Sequence, residues 1–161
     1  MTVAFSLQTE AYDDDMAAER KVVTILFTDV TGSTPLADRL DVEDLRELMD
    51  EWFAAMRVEI EAQGGTVEKF IGDAVMAVFG APTAHEDDPA RALRAALACR
   101  DRLAELNARL GVELGIRTGV NTGEAVATPD AAPGEPVVTG MAVNVAARLE
   151  QLAEPGQIVV A

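Results

Sequence analysis

The most restrictive feature of the sequence is a pair of apolar segments, Thr66–Ile71 and Ala74–Phe79, separated only by Gly72-Asp73. Two β-rich segments joined by two turn residues predict a β-hairpin, because so short a connection suits only antiparallel neighbours. Long segments with apolar residues at helical spacing lie on both sides of this hairpin. The fold must therefore combine an antiparallel sheet element with amphipathic helices packed against it.

The two helices that flank the hairpin have clear start and stop signals. Asp41 is a suitable N-cap for the first, and Gly64 and Gly65 end it. Its apolar residues at helical spacing are Leu45, Leu48, Met49, Trp52, Met56 and Ile60. The second helix opens at Asp87-Asp88-Pro89 and ends at Gly111. Its expected buried residues are Leu93, Ala96, Leu97, Leu103, Leu106 and Leu110.

The remaining segments continue the alternation of strands and helices. Further strands are predicted at residues 22–29, 112–120, 124–128, 137–139 and 157–160. A last helix is predicted over Met141–Leu152, with Val145, Leu149 and Leu152 as its buried stripe. This order indicates an α+β fold with one layer of helices on an antiparallel or mixed sheet.

Composition and charge exclude several classes of protein. Hydrophobic residues make up 49% of the 161 residues, which suits one globular domain. The net charge of −15 disfavours binding to nucleic acid or to an anionic membrane, because both need clustered positive charge. A single cysteine, Cys99, and the absence of a secretion signal or a long apolar run predict a cytoplasmic protein. Residues 1–20 are expected to form a flexible acidic leader.

Two aspartates are candidates for metal binding. Asp29 ends the first predicted strand and Asp73 lies in the hairpin turn, so neither position is needed for packing. Carboxylates at the ends of neighbouring strands can converge on one divalent cation, with phosphates and water completing its shell. The alternative is that each is an ordinary turn residue, since Asp favours turns. The segment 31–34 after Asp29 is a small-residue turn whose backbone N–H groups could cradle phosphates.

Three further polar residues stand in apolar surroundings. Asn144 and Arg148 are four apart in the last helix, so they share a face away from its buried stripe. Asn is unfavourable inside a helix, which suggests a role beyond solvation. Arg117 lies in an otherwise apolar strand, where an exposed or edge position is the plainer interpretation.

Four segments together resemble the catalytic domain of class III adenylate/guanylate cyclases. They are VVTILFTDVTGST (22–34), GGTVEKFIGDAVMAVFG (64–80), IRTGVNTG (116–123) and VNVAARLE (143–150), in the order and spacing of that family. The resemblance covers residues 21–161. It implies a ferredoxin-like βααβ-type core, with helices packed on a mainly antiparallel sheet, and a head-to-tail homodimer with composite sites at the interface.

The resemblance also implies roles for individual residues. Asp29, Asp73 and the backbone carbonyl of Val30 would hold two Mg²⁺ or Mn²⁺ ions. The other protomer would direct Lys69 to the purine edge, Asn144 to the ribose and Arg148 to the α-phosphate. The remaining implied substrate contacts are Arg117, Gly32, Ser33 and Thr34, together with the base-reading position 137. The implied reaction is attack of the ribose 3′-OH of ATP on its α-phosphate, which yields cyclic AMP and pyrophosphate.

The sequence departs from the family pattern at two places. Val137 stands where adenylate cyclases of the family usually carry Asp or Thr, and valine cannot form a hydrogen bond to adenine. Thr139 would face the same side of a strand, so we hypothesise that it substitutes, with GTP as the alternative substrate. The sequence stops at Ala161 within a predicted strand, where the family domain usually continues, so we expect a truncated domain.

Two other functions remain to be weighed. A non-catalytic nucleotide-sensing or dimerisation domain that regulates an attached effector domain would keep the fold and bind nucleotide without forming cyclic product. The sequence from Asp29 to Ser33 also looks like the phosphoryl-accepting motif of transport ATPases, but the second acidic motif of that chemistry is absent from the sequence.

Overall fold

The computed structural model describes residues 18–128, 131 and 135–161. In chain order its elements are β1 (Glu19–Thr31), α1 (Ser33–Ala37), α2 (Val42–Ala62), β2 (Thr66–Ile71), β3 (Ala74–Phe79), α3 (Asp88–Leu110), β4 (Gly115–Ala127), β5 (Val138–Thr139), α4 (Met141–Leu152) and β6 (Ile158–Val160). The predicted hairpin and the last helix have these same bounds.

The described strands form one mixed, mainly antiparallel sheet. Its order is β2-β3-β1-β4-β5, and β6 pairs with β4. Strand β1 runs antiparallel to both β3 and β4, so it is the central strand of the sheet. The β4–β6 pairing is parallel, whereas the other pairings are antiparallel. The α+β class expected from the sequence is confirmed.

Helices cover both faces of the sheet, so the single helical layer expected from the sequence is wrong. Trp52 of α2 and Cys99 of α3 belong to one core cluster with Leu26 and other residues on one face of the strands. Ala142 and Ala146 of α4 belong to a second cluster on the opposite face. Strand β1 reads as a continuous apolar run because its alternate side chains enter different cores.

Strand β4 is continuous from Gly115 to Ala127, where the sequence predicted two strands. The polar residues that suggested a break have partners inside the fold. Asn121 Nδ2 donates a hydrogen bond of 3.0 Å to the Ala142 carbonyl, and Thr122 Oγ1 lies 2.9 Å from Thr24 Oγ1. Cross-strand and strand–helix hydrogen bonds therefore replace the predicted turn.

Helices α2 and α3 begin and end where their signals predict. The Asp41 side chain accepts a hydrogen bond from the Asp44 backbone N–H, and Gly111 caps α3 with a φ of 65°. The predicted buried face of α3 is partly wrong, because Leu97 and Leu110 are exposed. Ala96, Leu103 and Leu106 are buried as predicted. The buried face also contains small residues that let α3 lie close to its neighbours, namely Ala92, Ala95 and Cys99.

The buried face of α4 also differs from the predicted stripe. Ala142, Ala146 and Glu150 face the sheet, while Leu152 is 74% exposed. Gly119 of β4 explains this choice, because a Cβ there would lie 2.3 Å from both the Ala146 carbonyl oxygen and the Glu150 nitrogen. The helix backbone thus rests directly on the strand at Gly119, and Ala142 and Ala146 allow this close contact.

Glu19 and Arg20, the last two residues of the predicted leader, belong to β1. Strand β1 begins at Glu19, and residues 1–17 of the predicted leader lie outside the described residues. Residues 129, 130 and 132–134, between β4 and β5, also lie outside the described residues. Within the described ranges, every helix is too short or too polar to cross a lipid bilayer.

Candidate functional site

Asp29 stands near the end of the central strand, where three strands meet. In the sheet register it lies opposite Ala74 of β3 and opposite Arg117 of β4. Ala74 follows Asp73 directly in the chain, so the pairing places the hairpin turn beside the end of β1. The predicted proximity of the two aspartates follows from this register.

Hydrogen bonds hold the hairpin turn against the end of β1. The Val30 N–H donates to the Asp73 carbonyl over 3.1 Å, and Ser33 Oγ donates to Asp73 Oδ2 over 2.8 Å. Gly72 adopts a φ of 58°, which favours glycine in a turn this tight. We define Asp29, Val30, Ser33 and Asp73 as the carboxylate corner.

The turn after β1 requires glycine at position 32. Gly32 has a φ of 88°, and a Cβ there would meet the Glu113 carbonyl oxygen at 3.0 Å. Helix α1 begins at the next residue, so Ser33 and Thr34 form its first turn. Ser33 is engaged with Asp73, whereas Thr34 is exposed.

Arg117 joins the carboxylate corner to α4. Its Nη2 donates to Asp29 Oδ2 over 2.9 Å, and its Nε lies 2.6 Å from Glu150 Oε1. The hydrogen bond to Asp29 is the main cause that raises the pKa of Arg117, with Glu150 adding to it. Burial raises the pKa of Glu150, which Arg117 partly offsets. The guanidinium thus compensates two carboxylates, although the Arg117 side chain remains 32% exposed.

The donor set of the corner suits a hard divalent cation. Mg²⁺ is usually held by one or two carboxylates together with substrate phosphates and water. Within the described ranges, no group of three or more His, Cys, Asp or Glu side chains is placed to hold a metal. Asp29 and Asp73 supply oxygen donors, so they fit an ion that arrives with a phosphate ligand rather than one caged by protein alone.

A second group of predicted residues meets beside β2. Lys69 has a side chain that is 45% exposed, and its Nζ lies 3.9 Å from Oε1 of the buried Glu68. The backbone N–H groups of Val137 and Val138 face the same carboxylate and lower its pKa, although burial raises that pKa more strongly. A cavity of about 180 Å³ adjoins this group and is lined by Glu68, Lys69, Glu135 and Pro136. The structure therefore places the segment that contains position 137 beside Glu68, the neighbour of Lys69 in β2.

Asn144 and Arg148 lie on the exposed face of α4, as the sequence predicts. Within the part of the chain that the structure describes, neither side chain has a hydrogen bond or an ion pair. Thr139 is also exposed and lines a different cavity, of about 320 Å³, with Arg20 and Met141. These three residues are not assembled with the carboxylate corner within one chain.

Sequence reasoning missed Glu68 and Glu150, which are both buried carboxylates. The signal for Glu150 was present, since it follows Ala142 and Ala146 at helical spacing and so places a charge on the packed face. Glu68 carried no such signal, because it lies in a strand whose neighbouring residues are partly exposed.

Comparison with known families gives one clear match. The family model described as "Adenylate and Guanylate cyclase catalytic domain" matches residues 16–161. That range includes the carboxylate corner, Lys69, Arg117 and α4.

Solved structures and curated proteins add similar chains. The structure of the adenylyl cyclase CyaB from P. aeruginosa is 32% identical, with a TM-score of 0.82, and the match covers 90% of this chain and 79% of that one. The guanylyl cyclase Cya2 is also 32% identical, with a TM-score of 0.81 and coverages of 91% and 77%. The uncharacterized protein Rv1319c of Mycobacterium tuberculosis is 38% identical over 89 residues, which are 55% of this chain and 17% of that protein. The chain thus matches less than a fifth of the length of this curated relative.

Proposed function

Because the chain belongs to the family of adenylate and guanylate cyclase catalytic domains, we propose that it converts ATP to 3′,5′-cyclic AMP and pyrophosphate. The observation that carries this proposal is the carboxylate corner, in which Asp73 is bonded to the end of the strand that presents Asp29. A solvated turn aspartate would not need two such bonds. Cyclic AMP formation from cellular ATP would place the domain in the cytoplasm.

Asp29, Asp73 and the Val30 carbonyl would hold two Mg²⁺ or Mn²⁺ ions. When bound, these ions supply charge neutralisation of the triphosphate and a lowered pKa for the ribose 3′-hydroxyl. Ser33 orients the Asp73 carboxylate through its hydrogen bond. Arg117 fixes Asp29 from the other side and balances its charge. Gly32, Ser33 and Thr34 would offer backbone N–H groups to the phosphates.

The exposed Asn144 and Arg148 support a composite site in a head-to-tail homodimer. Both are polar residues on one helix face, and neither has a hydrogen bond or an ion pair among the described residues, which suits a role in the site of a second protomer. The partner subunit's Arg148 would stabilise the charge that develops on the α-phosphate during in-line attack. The partner subunit's Asn144 would hold the ribose, and pyrophosphate would leave from the opposite side of phosphorus.

ATP is proposed over GTP on the strength of Lys69, which would donate to the purine edge. The hypothesis that Thr139 accepts from the exocyclic amine requires Thr139 to reach the base from the separate cavity that it lines. Overall similarity gives no preference, since CyaB and Cya2 are equally identical to this chain. Val137 cannot hydrogen-bond to the base through its side chain. A competition assay with ATP and GTP in Mn²⁺ therefore decides the substrate.

The first experiment measures cyclic nucleotide formed by the purified chain with Mn²⁺ and either ATP or GTP, at several protein concentrations. Cyclic AMP formation with a rate per protomer that rises with concentration supports a dimeric adenylate cyclase. Cyclic GMP as the main product would replace ATP with GTP in the proposal. Asp29→Asn is the negative control, and Glu86→Gln, an exposed change remote from the corner, is the matched positive control.

Mixing two inactive variants tests the composite site directly. In a mixed dimer of Asp29→Asn with Arg148→Ala, one site carries both changes and the other carries neither. Random pairing should then restore roughly a quarter of the wild-type rate. No recovery on mixing, with dimers present by sedimentation, would show that each protomer builds its own site.

Val137 favours one alternative function. A domain that binds nucleotide without turning it over could lose the base-reading side chain and keep the fold. It would show Mn²⁺-dependent ATP binding by calorimetry and no cyclic product at any protein concentration.

A further inference from the structure

The charged side chain of Glu68 is buried at a position where packing does not require it. It belongs to β2, the terminal strand of the sheet, yet its side chain is only 4% exposed. The β2–β3 register shifts between Val67 and Lys69, which is the signature of a bulge at Glu68. Bulges re-aim side chains, and here the bulge turns Glu68 inward while Lys69 stays 45% exposed.

The surroundings of the Glu68 carboxylate compensate its charge only in part. Lys69 Nζ lies 3.9 Å away, and the backbone N–H groups of Val137 and Val138 face the oxygens. Within the described ranges, neither oxygen has a hydrogen-bond partner of normal geometry. A buried carboxylate is costly without such partners, so its presence needs a role that offsets the cost.

The position of those N–H groups points to the role. Strands β2 and β5 lie at opposite ends of the sheet, with β3, β1 and β4 between them. The chain before β5 nevertheless comes back to β2, where Glu68 meets Val137 and Val138. On its other side Val137 is held at the end of β4, because its carbonyl accepts a hydrogen bond of 2.8 Å from the N–H of Thr128, the residue after that strand.

We propose that Glu68 is a positioning residue that holds the chain before β5 against β2, and so sets how Lys69 and Val137 meet the purine base. This inference rests on the proposed function, because it assigns the cavity beside Lys69 to the base of the nucleotide. Glu68 does not touch the base itself, since its two oxygens have almost no accessible surface. It acts through the placement of its two neighbours.

The proposal separates purine recognition from phosphate binding. The carboxylate corner lies at the end of β1 and has no contact with Glu68 in the structure. A change at Glu68 should therefore alter the preference between two purines and leave phosphate affinity as it was. A residue that merely stabilises the fold would weaken both together.

The test compares wild type, Glu68→Gln, Glu68→Ala and the exposed control Glu86→Gln. Calorimetry in Mn²⁺ measures the dissociation constants of ATP, GTP and inorganic tripolyphosphate for the whole chain. In Glu68→Ala we expect the ratio of ATP affinity to GTP affinity to change about tenfold, towards a value of one. In Glu68→Gln the change should be smaller, because the glutamine keeps one acceptor oxygen. Tripolyphosphate affinity should stay within about twofold in every variant, as should both nucleotide affinities in the control.

Several outcomes would overturn the proposal. One is a parallel loss of nucleotide and tripolyphosphate affinity, and another is an unchanged purine ratio in Glu68→Ala. Equal affinity of the wild type for ATP and GTP would also overturn it, because Glu68 would then have no preference between the two purines to control. If Glu68→Ala does not fold cooperatively, Glu68→Gln alone decides by the same ratio. A wild type that binds nucleotide but forms no cyclic product refutes the proposed turnover and leaves this binding test valid.

Discussion

Replacing Gly119 with alanine should push α4 away from the sheet. A Cβ at this position would lie 2.3 Å from the Ala146 carbonyl oxygen, 2.3 Å from the Glu150 nitrogen and 3.0 Å from the Glu150 Cα. All three atoms are backbone, so no side chain can rotate to make room. Ordinary contact needs a separation of about 3.4 Å or more, so the helix must move by about 1 Å.

The loss in free energy of unfolding that this movement causes can be estimated from known effects of overpacking a protein core. Extra methyl groups in packed cores typically cost about 1–3 kcal/mol, and a rigid backbone on both sides places Gly119→Ala at the upper end, about 3 kcal/mol. The same movement draws Glu150 away from Arg117, whose Nε now lies 2.6 Å from Glu150 Oε1. With an m-value of about 1.5 kcal/mol/M, the urea midpoint should fall by about 2 M.

Gly123→Ala is the matched control, since Gly123 lies on the same strand and faces the same helix. A Cβ at Gly123 would meet the Ala142 Cβ at 3.3 Å, a contact that a few tenths of an ångström relieve. We expect its loss of stability to stay under about 1 kcal/mol. Urea unfolding followed by circular dichroism measures both variants. A Gly119→Ala midpoint equal to that of Gly123→Ala would refute the close approach described above.

Four further predictions concern the site and the buried carboxylate. Asp29→Asn and Asp73→Asn should each abolish Mn²⁺-dependent cyclic product while unfolding stays cooperative; turnover retained in both would remove the metal assignment. Arg148→Ala should lower kcat by about 10²–10³ with little change in KM, and a change confined to KM would contradict its role. Thr139→Val should lower turnover of ATP more than that of GTP, and unchanged ATP turnover would end the hypothesis that Thr139 replaces the usual Asp or Thr. Burial raises the pKa of Glu68 from its ordinary value of 4.5, so its ionisation costs stability as pH rises through the raised value. The free energy of unfolding of Glu68→Gln relative to wild type should therefore increase as the pH rises above 4.5 and through the raised pKa, and a difference independent of pH would contradict that burial.

The elements that could be predicted from sequence are those with local signals. The hairpin Thr66–Ile71 and Ala74–Phe79 carries its own turn, and α4 has the bounds that its spacing predicts. Asp41 caps α2 because its side chain reaches the Asp44 N–H three residues away, a contact that needs no other part of the fold.

The features that escaped prediction depend on contacts between distant segments. Polar residues at 121–123 resemble a turn until β1 and α4 supply their hydrogen bonds. Leu152 looks like a core residue until Gly119 brings the backbone of α4 onto the strand and selects alanines instead. Glu68 is buried by a chain segment from the opposite end of the sheet, and no local sequence pattern predicts that contact.

The same dependence holds for the candidate site. Asp29 and Asp73 could be paired from the sequence because both lie at strand ends. The role of Arg117 in linking Asp29 to Glu150 could not be predicted from the sequence. It depends on the register of β1 against β4 and on the position of α4 against the sheet.

The long pairing of β1 with β4 has a consequence for how the protein is made. Asp29 and Arg117 are bonded partners although 88 positions separate them in the chain. During synthesis β1 and the hairpin leave the ribosome well before β4, so the backbone N–H and C=O groups on the edge of β1 that later pairs with β4 are at first unpaired. Folds dominated by such distant pairings form slowly, and their incomplete forms are prone to aggregate. The hydrogen bond between Arg117 and Asp29 is consequently among the last contacts of the site to form in the nascent chain, and a chaperone that shields β1 would increase the yield of folded protein more than it would change its final stability.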